Sequence, residues 1–218
     1  MGDLFHRSVV AVGRGVFLCI TSPTVLHAER THRDGAWMIA INHGSEMDIM
    51  PVMRSCRRRI DWLSITEVFA KPFVGWVAAK MGAFPIDRSM RDTVGVRRIY
   101  ERLEAGRVVG MFPEGRIPRR PEESVLQGGR LKPGIGQIAY SCGVPVLPCV
   151  LLDGTNLEGV LPWLPLRSAR YGIIYGEPLW ADPDLERKQA ARLLEEQLAD
   201  KMRELHQELL QHYTPTSK

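Results

Sequence analysis

The sequence has no uninterrupted apolar run long enough to cross a bilayer. Residues 4–20 are the most apolar part of its beginning, but Arg7 and Arg14 interrupt them. They also fall short of the roughly 20 apolar residues that a membrane-spanning helix needs. No small-residue cleavage site follows, which argues against a secretory signal peptide. Residues 1–30 are therefore predicted to hold a short apolar helix, which either lies in a membrane interface or packs on the protein's own core.

Cysteine is also scarce, with four residues among 218. The four form no C-x-x-C pair and have no histidine nearby at the spacing of a metal site: Cys19, Cys56, Cys142 and Cys149. We therefore expect free thiols in a reducing compartment rather than a zinc site or a disulfide framework. A chain of this length can bury a full core without disulfide bonds.

No strong excess of charge of either sign is present, since 25% of the residues are charged and the formal net charge is +4. With 44% hydrophobic residues, this is the composition of a globular protein, and it excludes a disordered or fibrous chain. The modest basic balance favours an anionic partner, either a phosphate-bearing lipid or a nucleic acid. Because basic and aromatic residues do not interleave and no helix-turn-helix pattern occurs, a nucleic-acid partner is not expected.

Short apolar segments alternate with helical patterns along the chain. The segments are rich in Ile and Val and predict strands at 36–42, 60–66, 108–112, 146–152 and 171–175. Helices are predicted at 47–56, 68–81, 90–105, 135–141 and 186–212. This alternation indicates an α/β fold with a mostly parallel central sheet flanked by helices. One domain is predicted over residues 31–213, followed by a frayed tail at 214–218.

A histidine follows the first of these predicted strands. Residues 42–48 read N-H-G-S-E-M-D, which places His43 in the turn and makes Ser45 the predicted N-cap of the next helix. Asp48, one turn into that helix, can hydrogen-bond one ring nitrogen of His43. That bond fixes the tautomer and leaves the other nitrogen as a proton acceptor. A helix start with an accidentally exposed histidine is the alternative interpretation.

Three further turns and helix starts carry ionisable groups. The F-P-E-G-R sequence presents Glu114 and Arg116, and Gly115 allows a close backbone approach that a side chain would hinder. The G-A-F-P-I-D-R sequence ends at Arg88, and Lys132 precedes a helix whose first amides favour an anion. Taken singly, each of these features is typical of an ordinary solvated turn.

Four motifs in this order resemble a known family. They are N-H-x-S-x-x-D with His43 and Asp48, G-x-F-P-I-D-R ending at Arg88, F-P-E-G-R ending at Arg116, and V-P-V-L-P at 144–148. Together they resemble the four blocks of the glycerolipid acyltransferases, a group that includes 1-acylglycerol-3-phosphate and other lysophospholipid acyltransferases. The resemblance covers about half of the chain, from about residue 37 to residue 150.

The resemblance implies an O-acyltransferase that moves a fatty acyl group from a thioester to the free hydroxyl of a lysophospholipid. The donor would be acyl-CoA or acyl carrier protein, and the foremost acceptor would be 1-acylglycerol-3-phosphate. An alcohol is a weak nucleophile at neutral pH, so a positioned base must take its proton. His43 would be that general base and Asp48 would orient it. The nucleophile then belongs to the substrate, and no acyl-enzyme is required.

The resemblance also implies a phosphate site at the second and third motifs. Arg88 and Arg116 would bind the acceptor's phosphate, with Glu114 and Gly115 shaping the pocket. Lys132 either adds a phosphate contact or is an ordinary surface lysine. In the family's commonest wording a Thr stands between Glu-Gly and the Arg, whereas here Arg116 follows directly. Lysophospholipids with larger headgroups are therefore considered beside 1-acylglycerol-3-phosphate.

No metal ion and no bound organic cofactor are expected, because the acyl carrier is a co-substrate. A lipid acceptor implies a peripheral position on the cytoplasmic face of a membrane.

One alternative is a non-catalytic lipid- or membrane-binding module on the same fold. The intact His43, Asp48 and Glu114 argue against this alternative. The other alternative is a hydrolase that uses these three residues as metal ligands. This set of ligands lacks a second histidine, which argues against it.

Overall fold

The structure is a computed structural model that describes residues 21–70, 75–76, 78–79, 82–86, 93–157 and 169–215. Its strands are β1 (Thr21–Leu26), β2 (Trp37–Ile41), β3 (Ile60–Ile65), β4 (Phe84–Ile86), β5 (Val108–Met111), β6 (Val146–Leu152) and β7 (Ala169–Tyr175). Its α-helices are α1 (Ile49–Ser55), α2 (Thr66–Phe69), α3 (Thr93–Glu104), α4 (Ile135–Cys142) and α5 (Arg187–His212). Short 3-10 helices span Ala28–Thr31, Pro121–Glu123, Val125–Gln127 and Gly154–Leu157.

The strands form one sheet in the order β1-β7-β6-β2-β5-β3-β4. All neighbouring strands run parallel except β6 and β7, so the predicted α/β fold with a mostly parallel sheet is confirmed. From β2 the chain builds β3, β4 and β5 on one side and then crosses to β6 on the other. Such a reversal of strand order opens a crevice at the carboxyl ends of the central strands, where α/β proteins bind ligands.

Each face of the sheet is covered by its own apolar core. On one face, Met38 and Ala40 of β2 pack with apolar residues of α3, α4 and α5. On the other face, Trp37, Ile39 and Ile41 pack with residues of α1 and the last 3-10 helix. Because both faces are covered, β2 is completely buried and its sequence is continuously apolar rather than alternating.

Helix α5 confirms the clearest helical pattern of the sequence. Its apolar residues recur every three or four positions and are buried: Leu194, Leu198, Met202, Leu205 and Leu209. They pack against the sheet face that also carries α3 and α4. The helix therefore owes its stability to the burial of this stripe as well as to its backbone hydrogen bonds.

The two edge strands, β1 and β4, were not predicted from the sequence. Strand β1 contains Pro23 and β4 contains Pro85, and neither sequence shows the apolar run of the inner strands. Proline cannot donate to a strand ladder, so it is tolerated at edges and counts against a strand in a sequence pattern. The sheet therefore has seven strands in the described residues, two more than the sequence predicts.

The segment predicted over residues 1–30 divides at residue 21. Residues 1–20, with the predicted apolar helix, lie outside the described residues. Residues 21–26 form β1, which pairs with β7, so the sheet begins before residue 31. Of the helix predicted at 68–81, the structure describes α2 and helical residues at 75–76 and 78–79. Within the described ranges, no helix combines the length and the apolar character needed to span a bilayer.

Candidate active site

The site lies where the parallel strands β2 and β5 end side by side. Ala40 of β2 pairs with Met111 of β5, so the residues that follow each strand emerge next to each other. His43 therefore stands beside Phe112 and Glu114, although about seventy residues separate them in the chain. This adjacency brings the first and third sequence motifs together at one edge of the sheet.

Asp48 holds the imidazole of His43. The Nδ1 of His43 lies 3.1 Å from Oδ2 of Asp48, and the backbone N–H groups of Gly44 and Ser45 donate to the same oxygen at 2.7 and 2.8 Å. Because this oxygen already accepts two backbone N–H groups, the geometry favours the tautomer of His43 that donates from Nδ1 and leaves Nε2 as an acceptor. The Asp48 side chain is 2% exposed and that of His43 15%, so the carboxylate is shielded while the ring stays reachable.

The predicted role of Ser45 as the helix N-cap is wrong. Helix α1 begins at Ile49, and Asp48 occupies its N-cap position without a side-chain cap bond. The hydroxyl of Ser45 instead accepts a hydrogen bond from the N–H of Met47 at 3.0 Å. The Asp48 carboxylate accepts hydrogen bonds from the N–H groups of Gly44 and Ser45. These bonds hold the residues that precede α1 in a turn, so the helix begins after Asp48.

Phe112 forms one wall of the His43–Asp48 pair, called the dyad below, and was not singled out by sequence reasoning. Its ring stacks on the His43 imidazole with centroids 4.0 Å apart and planes 19° apart. Trp62 stacks behind Phe112 at 5.7 Å. This apolar wall limits the rotation of the imidazole and keeps water from one of its faces. Its position directly before Pro-Glu-Gly in the third motif was the available signal.

The side chain of Asn42 fastens the turn to the neighbouring strand. Its amide nitrogen donates to the carbonyl of Leu151 at 2.9 Å, and its amide oxygen accepts from the N–H of Leu151 at 2.8 Å. Asn42 directly follows β2 and Leu151 lies near the end of β6, so a side chain continues the ladder where the backbone of β2 leaves it. The base of the His43 turn is thereby fixed on one side by β6.

Glu114 is buried, and its oxygens are used inside the protein. One oxygen accepts the backbone N–H of His43 at 2.6 Å, and the other accepts the N–H of Val125 at 2.7 Å and the hydroxyl of Ser124 at 3.1 Å. Burial raises the pKa of Glu114 above its ordinary value, and these three hydrogen bonds oppose the shift. Its side chain thus links the His43 turn, the end of β5 and the loop before α4.

A cavity of about 250 Å³ opens beside Glu114. Its lining carries three cations and two further carboxylates: Arg116, Arg130, Lys132, Glu122 and Glu123. Arg116, Arg130 and Lys132 are exposed at its surface. The cavity therefore offers guanidinium and ammonium donors to an anion that approaches from solvent. Arg130 was not singled out by sequence reasoning, since one arginine in a polar loop carries no distinguishing pattern.

Gly115 lets Lys132 approach the turn. Its φ of +76° lies in the left-handed region, and a Cβ there would stand 3.0 Å from Cγ of Lys132. The N–H of Lys132 donates to the carbonyl of Pro113 at 2.7 Å, which fixes the backbone of the lysine against the third motif. A side chain at position 115 would therefore strain the backbone and push Lys132 away.

Arg116 is already paired with a carboxylate of the protein. Its Nη2 donates to Glu123 at 2.9 Å, while the N–H of Arg119 and the guanidinium of Arg120 donate to the same carboxylate at 3.2 Å. The pKa of Glu123 is lowered, first by the N–H of Arg119 and further by Arg120 and Arg116. Glu123 is therefore ionised near neutral pH. Sequence reasoning missed it, because a carboxylate was not expected against the predicted phosphate ligand.

The first amides of α4, predicted to favour an anion, bind one from within the chain. The N–H groups of Gly134 and Gly136 donate to Glu195 of α5 at 2.7 and 3.0 Å. This carboxylate satisfies donors that a helix start leaves unpaired and complements the positive end of the helix dipole.

The structure thus brings together six of the seven site residues named from the sequence: His43, Asp48, Glu114, Gly115, Arg116 and Lys132. The seventh, Arg88, lies outside the described residues. Within the described ranges, no group of three or more His, Cys, Asp or Glu side chains is placed to hold a metal ion.

Comparison with protein families gives a match to the family described as Acyltransferase over residues 22–152, more than half of the chain. The chain belongs to the acyltransferase family. The matched region contains the dyad, Glu114 and the residues that line the cavity.

Curated relatives carry related names. A chloroplastic 1-acyl-sn-glycerol-3-phosphate acyltransferase of Brassica napus is 33% identical over 142 residues, 62% of this chain and 40% of that protein. A second plant relative, from Arabidopsis thaliana, has the same activity name and is 33% identical over 55% of this chain and 34% of its own length. The 1-acyl-sn-glycerol-3-phosphate acyltransferase of Bacillus subtilis is 26% identical over 85% of this chain and 88% of its own. The chain thus spans less than half the length of the two plant acyltransferases.

A solved structure has the same acyltransferase fold. It is the 1-acyl-sn-glycerophosphate acyltransferase PlsC from Thermotoga maritima, with a TM-score of 0.64. The match covers 94% of this chain and 81% of that chain at 20% sequence identity. The likeness therefore supports the arrangement of strands and helices described above.

Proposed function

We propose that this protein is an O-acyltransferase that transfers a fatty acyl group from acyl-CoA or acyl carrier protein to the free hydroxyl of a lysophospholipid. Its foremost acceptor is 1-acylglycerol-3-phosphate. The observation that carries the proposal is the oriented His43–Asp48 dyad beside a cavity lined by Arg116, Arg130 and Lys132. Membership of the acyltransferase family and the names of the relatives support the same reaction.

The dyad supplies general base catalysis. The acceptor's hydroxyl gives its proton to Nε2 of His43 while its oxygen attacks the carbonyl carbon of the thioester. The tetrahedral intermediate then breaks its carbon–sulfur bond, and the imidazolium returns the proton to the departing thiolate. The products are an ester and a free thiol. Asp48 stabilises the imidazolium and keeps the proton of the resting ring on Nδ1 throughout.

The cationic cavity supplies the recognition of the acceptor. A phosphate oxygen can accept from the guanidinium groups of Arg116 and Arg130 and from the ammonium of Lys132. Arg88, from the second motif, is proposed as a further ligand of the same phosphate. Glu114 is proposed to act by shaping this pocket, because both of its oxygens are used within the protein. Gly115 contributes by leaving room for Lys132.

We also propose that the protein works at the cytoplasmic face of a membrane as a peripheral protein. Its acceptor is a lipid, and residues 4–20 carry an apolar sequence with two arginines that suits a bilayer interface. The reaction needs no metal ion or bound organic cofactor, because the dyad acts on a thioester that is itself reactive.

An acyl-transfer assay tests the proposal. The purified protein is incubated with lysophosphatidate or a lysophospholipid with a larger headgroup, and with acyl-CoA or acyl carrier protein. Free thiol and the lipid product are measured. We expect thiol release with at least one pair, and a loss of about 10²–10⁴-fold in kcat for His43→Ala and for Asp48→Asn.

A matched control is His32→Ala, which removes an exposed histidine away from the site and should keep wild-type activity. Near-normal turnover in His43→Ala would reject the base assignment. Tight binding to liposomes without thiol release from any donor would instead favour the non-catalytic lipid-binding module.

A further inference from the structure

The loop after β6 lies directly against the carboxylate of Asp48. Gly154 begins the 3-10 helix Gly154–Leu157 and is buried. A Cβ built on Gly154 would stand 2.2 Å from Oδ1 of Asp48 and 3.2 Å from Cδ2 of Leu151. The first distance is far below van der Waals contact. Position 154 therefore accepts only a residue without a side chain as long as Asp48 keeps its place.

The carboxylate cannot rotate away without loss. Its Oδ2 accepts three hydrogen bonds, from Nδ1 of His43 and the N–H groups of Gly44 and Ser45. Any rotation of the Asp48 side chain that freed space for a Cβ would lengthen these bonds together. The clash at position 154 would thus be transmitted to the imidazole.

The loop is also held from its other side. Leu151 exchanges two hydrogen bonds with Asn42, and Asp153 adopts a φ of +60°, in the left-handed region. The hydroxyl of Tyr213, just beyond α5, donates to the carboxylate of Asp153 at 2.7 Å. Leu157 at the end of the 3-10 helix is 1% exposed. The loop is therefore anchored on Asn42 directly after β2, on Tyr213 after α5 and in the core.

We propose that Gly154 is a positioning residue for the reaction. Because it has no side chain, the anchored loop can pack directly against the Asp48 carboxylate, and the carboxylate in turn orients the His43 imidazole. The expected fall in kcat rests on the proposed function. The expected change in the His43 tautomer does not, because it can be measured without turnover. None of the four sequence motifs includes position 154.

The kinetic test is Gly154→Ala. A misplacement of about 1 Å at a catalytic group can cost about 100-fold in rate. We expect kcat per folded protein to fall by about 10- to 100-fold with KM values within about twofold. In a chain that already carries Asp48→Ala, which removes the clashing carboxylate, Gly154→Ala should lower kcat by less than about twofold. An equal loss in both backgrounds, or no loss in either, overturns the inference.

A spectroscopic readout separates this inference from the proposed function. In protein with ¹⁵N-labelled histidine, we expect His43 to be protonated on Nδ1 in the wild type. We expect it to lose that preference in Gly154→Ala and also in Asp48→Ala. If the wild type transfers no acyl group but the tautomer shifts as stated, the positioning role stands and the proposed function fails. An unchanged tautomer in Gly154→Ala overturns the positioning role.

Stability provides the remaining control. Gly176→Ala also creates a close contact, 2.6 Å from Cγ of Pro148 and 2.8 Å from Cδ1 of Leu205, but away from the dyad. It should lower the melting temperature without changing kcat or the His43 tautomer. If Gly154→Ala unfolds the chain, the double variant with Asp48→Ala should regain the melting temperature of Asp48→Ala alone. Failure to regain it would place the clash elsewhere and overturn the inference.

Discussion

Glu114 accepts the backbone N–H of His43 at 2.6 Å, so the acid of the third motif supports the histidine of the first. The family resemblance implies that this acid shapes the substrate pocket, and here it lines the cavity while both of its oxygens accept hydrogen bonds from donors of the protein. The two motifs are thus one structural unit, and substitutions in one should be felt in the other.

Glu114→Gln tests this unit. An amide has one accepting oxygen, so its NH2 group would face the N–H of either His43 or Val125. A buried donor left without an acceptor costs about 1–3 kcal/mol, and we expect that loss in the free energy of unfolding measured with urea. We also expect kcat to fall with KM for the acceptor little changed. Glu101→Gln, at an exposed position of α3, is the control and should change neither quantity.

Phe112→Leu tests the wall behind the imidazole. Leucine keeps much of the apolar volume but removes the ring that stacks on His43. The imidazole then has more rotational freedom, and we expect kcat to fall by about 3- to 10-fold. Phe84→Leu makes the same change on the opposite sheet face, where the ring lies under Arg102. A similar drop in kcat for both variants, per folded protein, would contradict a role of Phe112 at the dyad.

Glu123→Gln tests the carboxylate that pairs with Arg116. Removing its negative charge frees the guanidinium and reduces repulsion of an entering phosphate. We expect the KM for 1-acylglycerol-3-phosphate to fall by about 3- to 10-fold while kcat stays within about twofold. Glu122→Gln is the matched control, since Glu122 lines the same cavity and, like Glu123, pairs with Arg120, while the bond to Arg116 comes from Glu123. A higher KM in Glu123→Gln would mean that the carboxylate organises the loop rather than competing with the ligand.

His206 of α5 should make the fold sensitive to acid. Burial lowers the pKa of His206 below its ordinary value of 6.5, although a hydrogen bond with the backbone of Leu126 opposes the shift. Because the unfolded chain then binds the proton more readily, the free energy of unfolding should fall as the pH drops through about 6.5 and below. His206→Leu should flatten this dependence between about pH 7.5 and 5.5. His212→Leu, at an exposed position, should retain the wild-type slope.

The inner strands and the long helix could be predicted because burial on both faces, or on one stripe, leaves a pattern in the sequence. The edge strands could not, since Pro23 and Pro85 break that pattern where an edge tolerates them. His43 and Asp48 are five residues apart, and so their contact was accessible to reasoning on a local turn.

Other parts of the site depend on contacts that no local pattern encodes. Asn42 and Leu151 are 109 residues apart, and the use of both Glu114 oxygens depends on where the loop at 124–125 passes. The pairing of Arg116 with Glu123 is closer in sequence, but it requires the loop between them to turn back. Gly154 gains its meaning only from the carboxylate beside it.

The two hydrogen bonds between Asn42 and Leu151 affect when the growing chain can first become active. When only the first 145 residues have been synthesised, the chain already contains His43 and Asp48 but still lacks β6. The turn that holds the imidazole is then open along one side. We therefore expect the nascent chain to be inactive until β6 pairs with β2. Acyl transfer should begin only when this part of the sheet is complete.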